Sequence, residues 1–384
     1  MKIAIVIERM DVSRGGRETS TAQIAAGLAK RGHHVTVICQ RASWRCEGVR
    51  VRELGRRGLT RSGRMANFVA DAQRAIEGQG FEIVHAMLPL PGANVYQLRG
   101  GTVPAQAAAN IRRRTLAGKL AARVFAPLNT HRRNMAAMER AVVGSPDVLC
   151  LPVSQMVADE LAGHYGRSEN VRVIYNAVDL PDVSDEQRAD WRQELRFRMG
   201  LRQGDVVFLS VATNFELKGV AELIEAFSRW YARVRGRVSA RLVVVGRERV
   251  EGYQRHAGLR EVGSEVLFVP PSDDIFRWYA AADVCVLLSW YDPCSRVVLE
   301  ATRWGIPSIT TRQNGAAEVL SDGAGIVVDS PRDAGAIVAA MDELADPQRR
   351  SERGQACLRV ADRLGMDRHV DELLSAYGEL LDRT

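Results

Sequence analysis

Residues Ala282–Glu318 read ADVCVLLSWYDPCSRVVLEATRWGIPSITTRQNGAAE, and this stretch decides the fold. ADVCVLLS is an apolar run too short to span a membrane and suited to a buried parallel strand. YDPCS is a polar turn with a proline, and RVVLEATRW carries apolar positions that fit a short helix. Gly305 and Pro307 stop that helix, and PSITT restarts a strand. A strand, a turn and a helix in this order place the turn beyond a carboxyl strand end, where open α/β sheets bind ligands.

A helix beginning near Ser295 leaves its first amide N–H groups, just after Pro293, without internal partners. With the helix dipole they form an anion site suited to phosphate. Asp292 precedes that site and Glu300 lies one to two turns into the helix. Carboxylates on both flanks of a phosphate site suit a ligand with hydroxyls on both sides, such as a nucleotide sugar. Spacing alone fits equally an ordinary βαβ unit with two solvated acids.

Asp292-x7-Glu300 followed by Gly305-Ile306-Pro307 resembles the Glu-x7-Glu signature of the family 4 retaining glycosyltransferases. The resemblance implies that Asp292 holds hydroxyls of a donor sugar and Glu300 the ribose of its nucleotide. Cys294 and Ser295 fall where that family usually has Phe-Gly, whose backbone meets the diphosphate. Asp for the first Glu keeps the charge and shortens its reach by one methylene.

The 384 residues suffice for two domains with large cores, and 46% hydrophobic with 26% charged residues is ordinary for a globular chain. No apolar run reaches the roughly 18 residues of a spanning helix. MKIAIVIE reads as a first strand and not as a signal peptide. Cysteines 39, 46, 150, 285, 294 and 357 are scattered, without disulfide or zinc spacing, and imply the cytoplasm. The formal net charge of +7 calls for an acidic partner.

From the N-terminus, KIAIVIE, the turn Ser13-Arg14-Gly15-Gly16, a helix over about 19–31 and HHVTVICQ make a strand–helix–strand opening. Gly15 and Gly16 let the backbone approach a ligand, although the spacing is not GxGxxG, so no dinucleotide fingerprint is present. In the resembled family this loop, often followed by an acid such as Glu18, lies opposite the donor diphosphate. VRVREL, a helix near 64–79 and EIVHAML follow. His85 near the end of that strand is either a core histidine or a catalytic one.

PLPGANVYQLRGG resembles a stretch of the lipopolysaccharide-core glucosyltransferase group within the family, with Asn94 in place of Asp. Many family members set a histidine against the donor sugar just after the next strand. Here the corresponding residues are Leu98-Arg99-Gly100-Gly101, leaving His85 or Arg99 as the substitute.

No Asp or Glu occurs between Ile83 and Met138, whereas Arg99, Arg112, Arg113, Arg114, Lys119, Arg123, Arg132 and Arg133 do. Residues 105–143 read as helical, with Leu116, Leu120, Val124, Phe125 and Leu128 between the cations. A charge run is most simply a solvated helix face. The length of this acid-free span and its interleaved apolar residues favour an anionic membrane surface or a lipid-linked acceptor. Aromatic residues are too few for an RNA surface, so no nucleic-acid partner is expected.

DVLCLPVS and VRVIYNAVDL read as two more strands, the second carrying Asn176-Ala177-Val178-Asp179, which resembles the family's linker motif. The acidic segment DLPDVSDEQRADWRQEL marks the start of a second unit. The expected domains are therefore 1–178 and 185–364. The resemblance implies that the helix at 365–384 packs back on the first.

In the second unit Lys218-Gly219 follows a strand at the start of a helix. An ammonium there can neutralise a diphosphate leaving group in place of a metal. The family carries Lys-Gly at this place, with an arginine five residues earlier. Thr213 stands there instead, so Arg247 or Arg296 is left to supply the second cation.

The expected fold is α/β, two doubly wound domains facing a cleft, the GT-B arrangement. The resemblance implies a retaining transfer of a hexose, with UDP-glucose or a related UDP-hexose as donor. The implied acceptor is a lipopolysaccharide core or another lipid-linked glycan at the inner membrane face. Asp292, Lys218 and His85 are the candidate catalytic residues. Gly15, Gly16, Lys218, Arg247, Asp292, Cys294, Ser295, Arg296 and Glu300 are the candidate donor contacts. No metal and no cofactor beyond the nucleotide sugar are expected, since no Asp-x-Asp is present. Three rivals remain: a nucleotide-sugar-binding scaffold without turnover, motivated by the missing cation and histidine; a sugar-nucleotide epimerase; and a nucleic-acid protein.

Overall fold

The computed structural model describes every residue except 115–117, 119–128, 203, 272–273, 321 and 384. The chain divides into two compact units, one of residues 1–177 with 365–384 and one of residues 178–364. The second unit thus begins at Val178, at the start of the 178–185 interval between the two expected domains. Leu180 and Val183 pack there against the cluster around Trp278 and Trp304.

The first unit runs β1 (Lys2–Val6), α1 (Gly16–Lys30), β2 (His34–Cys39), β3 (Val49–Glu53), α2 (Arg61–Ile76), β4 (Ile83–Ala86) and β5 (Val95–Leu98). It continues through α3 (Val103–Arg112), α4 (Thr130–Gly144), β6 (Leu149–Pro152) and α5 (Gln155–Tyr165). The second unit runs α6 (Asp185–Arg198), β7 (Val206–Ala212), α7 (Val220–Val234), β8 (Ala240–Gly246), α8 (Glu251–Leu259), β9 (Val266–Val269) and α9 (Ile275–Ala281). Then come β10 (Val284–Leu287), α10 (Arg296–Arg303), β11 (Ser308–Thr311), β12 (Gly325–Val328), α11 (Ala334–Ala345) and α12 (Pro347–Val360).

The two sheets have one topology. Strand order is β3-β2-β1-β4-β5-β6 in the first and β12-β11-β10-β7-β8-β9 in the second, and every pairing is parallel. Helices cover both faces of such sheets, which is why the central strands are apolar throughout instead of alternating. The order reverses between β1 and β4 and again between β7 and β10. Loops leaving those strands diverge at that point and open a crevice outside the carboxyl ends.

The last helix, α13 (Met366–Leu381), belongs to the first unit. Met366, His369, Val370, Leu373, Ala376, Tyr377 and Leu380 are its buried residues, a spacing that puts all of them on one face. All of them except His369 join the core of β1, β2 and α1. Gly27 permits the contact, since a Cβ there would lie 2.7 Å from Val370 Cγ2.

VRVIYNAVDL is not a strand. The Cys150 N–H donates to Asn170 O at 3.0 Å, and the Arg172 and Ile174 N–H groups donate to Cys150 O and Pro152 O, also at 3.0 Å. The next ladder bond would need an N–H from Pro152, which has none. The segment therefore follows the edge of β6 with a single bridge, at Val171. Within the span 105–143, expected to be helical, the described residues form α3 and α4, and most of what lies between these two is outside the described residues.

Candidate active site

In the second unit the loops leaving β7 and β10 are joined. The Trp290 N–H donates to Leu217 O at 2.9 Å, and the Lys218 ammonium pairs with the Asp292 carboxylate, both side chains being largely buried. Gly219 has φ +66°, and a Cβ on it would lie 2.2 Å from the carbonyl oxygen of Leu288. Only glycine combines this left-handed conformation with such a close approach. The Lys-Gly pair thus has two separable parts, a cation beside Asp292 and a backbone laid against the end of β10.

Asn314, which sequence reasoning passed over, organises the other side of the loop. It is fully buried. Its Oδ1 accepts hydrogen bonds from the N–H groups of Ser295 and Ala316, both at 3.1 Å. Its Nδ2 donates to Thr310 Oγ1 at 3.0 Å. The main chain of Asp292 is tied into the same turn: its N–H donates to Gln313 O and its carbonyl accepts from Gly315 N–H, each at 2.9 Å. The Ser295 N–H is therefore already satisfied, contrary to the expectation that the first amides after Pro293 are free.

Ser295 is the N-cap of α10, and no side-chain hydrogen bond caps that helix. Its first internal bond runs from Leu299 N–H to Ser295 O at 3.3 Å. The positive end of the dipole remains open to an anion beyond Ser295. Cys294 and Ser295 are buried within the turn.

Glu300 accepts from the Tyr279 hydroxyl at 2.9 Å and pairs with Arg296 at 3.4 Å. Burial pushes its carboxyl above the ordinary range, against the opposing pull of Arg296 and Tyr279. Arg296 is thus committed to Glu300 in this state. Arg247 is exposed, one residue past β8, on the strand beside β7 at the same sheet end.

In the first unit, His85 does not reach the surface. It is fully buried, its Nδ1 is 2.6 Å from the Tyr377 hydroxyl of α13, and burial pushes its pKa down to about 3. A sealed, neutral imidazole cannot touch a substrate, and the catalytic reading of His85 is corrected to a core one. Gly16 is the first residue of α1, not a loop residue. Gly15 before it holds φ +153°, open to glycine alone, with nothing near its Cβ direction.

Arg99, by contrast, lines a cavity of about 340 Å³ together with Arg17, Arg61 and Arg132. Of the remaining cations, Arg112 and Arg114 are exposed at the end of α3 and Arg133 in the first turn of α4. Arg113 donates to Asn110 Oδ1 at 3.0 Å. Lys119 and Arg123 lie outside the described residues.

Comparison with known proteins agrees with this geometry unit by unit. Residues 14–181 match the family model Glycosyltransferase Family 4, and residues 192–356 match the model Glycosyl transferases group 1. The chain is 27% identical over 325 residues to the lipopolysaccharide glucosyltransferase WaaG of Escherichia coli (strain K12), covering 83% of this chain and 82% of that one. It is 28% identical over 254 residues to the D-inositol 3-phosphate glycosyltransferase of Streptomyces bingchenggensis (strain BCW-1), covering 63% and 55%.

The crystal structure of WaaG superposes with a TM-score of 0.82 at 22% identity, covering 97% of this chain and 98% of that one. Anabaena Alr3699/HepE in complex with UDP and glucose gives 0.68 at 19%, covering 98% and 99%. With one family model on each unit and one fold across both, this chain belongs to the family 4 type glycosyltransferases of GT-B fold.

Proposed function

We propose that this glycosyltransferase moves glucose from UDP-glucose to a lipopolysaccharide core or another lipid-linked glycan. The observation that carries the reading is the Lys218–Asp292 pair beside the uncapped start of α10. The named activity of the curated relative covering 83% of the chain supports glucose as the group moved and lipopolysaccharide as the acceptor.

In this reading the diphosphate lies at the amino end of α10. Lys218 turns from Asp292 to the leaving phosphate and frees that carboxylate for hydroxyls of the sugar. Arg247 is the second cation. Cationic side chains and helix amides would stabilise the departing nucleoside diphosphate without a metal. Glu300 binds the ribose, and the configuration at the sugar carbon is retained by attack on the face that the diphosphate leaves. Among the described residues no helix is long and apolar enough to cross a membrane. Exposed Arg112, Arg114 and Arg133 suit peripheral contact with anionic lipid on the inner face of the cytoplasmic membrane.

The test is transfer of label from UDP-[14C]glucose to detergent-extracted lipopolysaccharide lacking its outer core, with the new linkage assigned by NMR. Labelled lipid with an α-linked glucose is expected. Nucleotide binding without transfer to any lipid-linked acceptor would overturn the reading in favour of a non-catalytic scaffold.

A further inference from the structure

The cavity of the first unit lies where the strand order reverses. Glu8 follows β1, Met87 and Leu88 follow β4, and Arg99 follows β5. Arginines from four separate places in the fold line it: Arg17 in the first turn of α1, Arg61 at the first position of α2, Arg99 beyond β5 and Arg132 in the first turn of α4. Four guanidinium groups brought to one concave site from distant parts of the sequence carry a concentrated positive field.

Its acids do not cancel that charge. Glu139 is fully buried and already accepts three hydrogen bonds, from the Tyr96 hydroxyl at 2.9 Å, Val103 N–H at 2.7 Å and the Tyr165 hydroxyl at 2.5 Å. Glu8 lies 4.0 Å from Arg9. Arg17 pairs with Glu18 at 3.3 Å, but Arg61 and Arg132 have no ion pair among the described residues. The amino end of α3 is also taken, because Glu160 accepts from Thr102 N–H at 3.1 Å and Glu139 from Val103 N–H. An anion in this cavity therefore meets guanidinium groups and not a helix end. His131, on the same wall, has its pKa lowered by burial and by Arg61.

We propose that this cavity is an oxyanion subsite, so that the acceptor carries a phosphate or carboxylate that Arg17, Arg61, Arg99 and Arg132 bind. This rests on the proposed function only in calling the ligand an acceptor. Planar guanidinium forks pair with two oxygens of such groups at once, so the site selects a charged glycan over a neutral one of equal size. Arg61 and Arg132, standing at helix starts with no carboxylate partner among the described residues, are the specificity-determining residues.

Calorimetric titration of the full chain tests this, with glucose 6-phosphate, glucuronate and methyl glucoside as probes and UDP titrated in parallel. The phosphate or the carboxylate probe binds and the neutral glucoside does not, and the comparison of the two anions identifies the group preferred. Arg61→Gln and Arg132→Gln each weaken the anionic probe by roughly tenfold or more, while Arg50→Gln on edge strand β3 leaves it unchanged. UDP affinity stays at the wild-type value in all three. Equal binding of the glucoside, or equal loss in Arg50→Gln, overturns the subsite. Loss of UDP binding in the wild type refutes instead the donor reading and leaves the subsite standing.

Discussion

Replacing Asn314 separates the two roles assigned to the turn before α10. In Asn314→Ala the N–H groups of Ser295 and Ala316 lose their common acceptor at a site with no exposure. A buried donor left unsatisfied costs about 1–3 kcal/mol, so the pair costs about 4 kcal/mol at the middle of that range. For a unit of this size each kcal/mol lowers the melting temperature by about 2–4 °C, a fall of about 8–16 °C for the second unit.

Asn314→Asp keeps an acceptor for both N–H groups and sets a fixed negative charge against the start of α10. The helix dipole offsets part of the burial cost, so the fold survives, but a diphosphate at the same helix end now meets a like charge. UDP affinity then falls by roughly tenfold or more. Differential scanning calorimetry reads the first effect and titration with UDP the second. A second-unit transition unchanged in Asn314→Ala would refute the hydrogen-bonding account. A folded Asn314→Asp protein that binds UDP as the wild type does would refute the placement of the diphosphate.

Two further outcomes follow from the geometry. Gly219→Ala must carry a side chain at φ +66° with its Cβ 2.2 Å from Leu288 O, whereas Gly236→Ala at φ +84° meets nothing within 4 Å. The second costs about 1 kcal/mol of conformational strain, the first clearly more and with weakened UDP binding, as urea unfolding and titration will show; equal effects would contradict the role given to the close approach. Acid weakens the first unit through His85 and His369, both buried and neutral, with pKa values lowered chiefly by burial. The unfolded chain takes up protons below the ordinary value of 6.5 and the folded chain does not until about 3 for His85. Stability is therefore complete above pH 6.5 and lost as the pH falls towards 3, by about 2 kcal/mol at pH 5 from His85 alone. Unfolding of His85→Gln with less dependence on pH between 5 and 7 is the expected result, and an unaltered slope would contradict it.

Both doubly wound sheets were legible because their parallel strands are buried on two faces and so appear as short apolar runs between glycine and proline punctuation. Lys218-Gly219 and Asp292-x7-Glu300 were legible because each lies at a strand end in that pattern. Asn314 was not, since its role depends on where β11 sets it against Ser295, which no local spacing encodes. His85 near the end of a strand fitted a core or a catalytic histidine alike, and the group that seals it, Tyr377, is 292 residues away. Arg17 and Arg61 escaped notice because each begins a different helix, and only the packing of those helices on the sheet brings them together with Arg99 and Arg132. The false strand at 171–180 had a strand's composition, and one proline in its neighbour denied it the ladder.

The central claim is that the β7–β10 end of the second sheet holds the diphosphate of a nucleotide sugar against Lys218. It is tested most directly by titrating UDP-glucose into the wild-type chain and into Lys218→Met, with GDP-glucose and ADP-glucose as references. Binding that prefers UDP-glucose and weakens by roughly tenfold or more in Lys218→Met is the predicted result. Wild-type protein that binds none of the three, or a Lys218→Met protein that binds UDP-glucose undiminished, would contradict it.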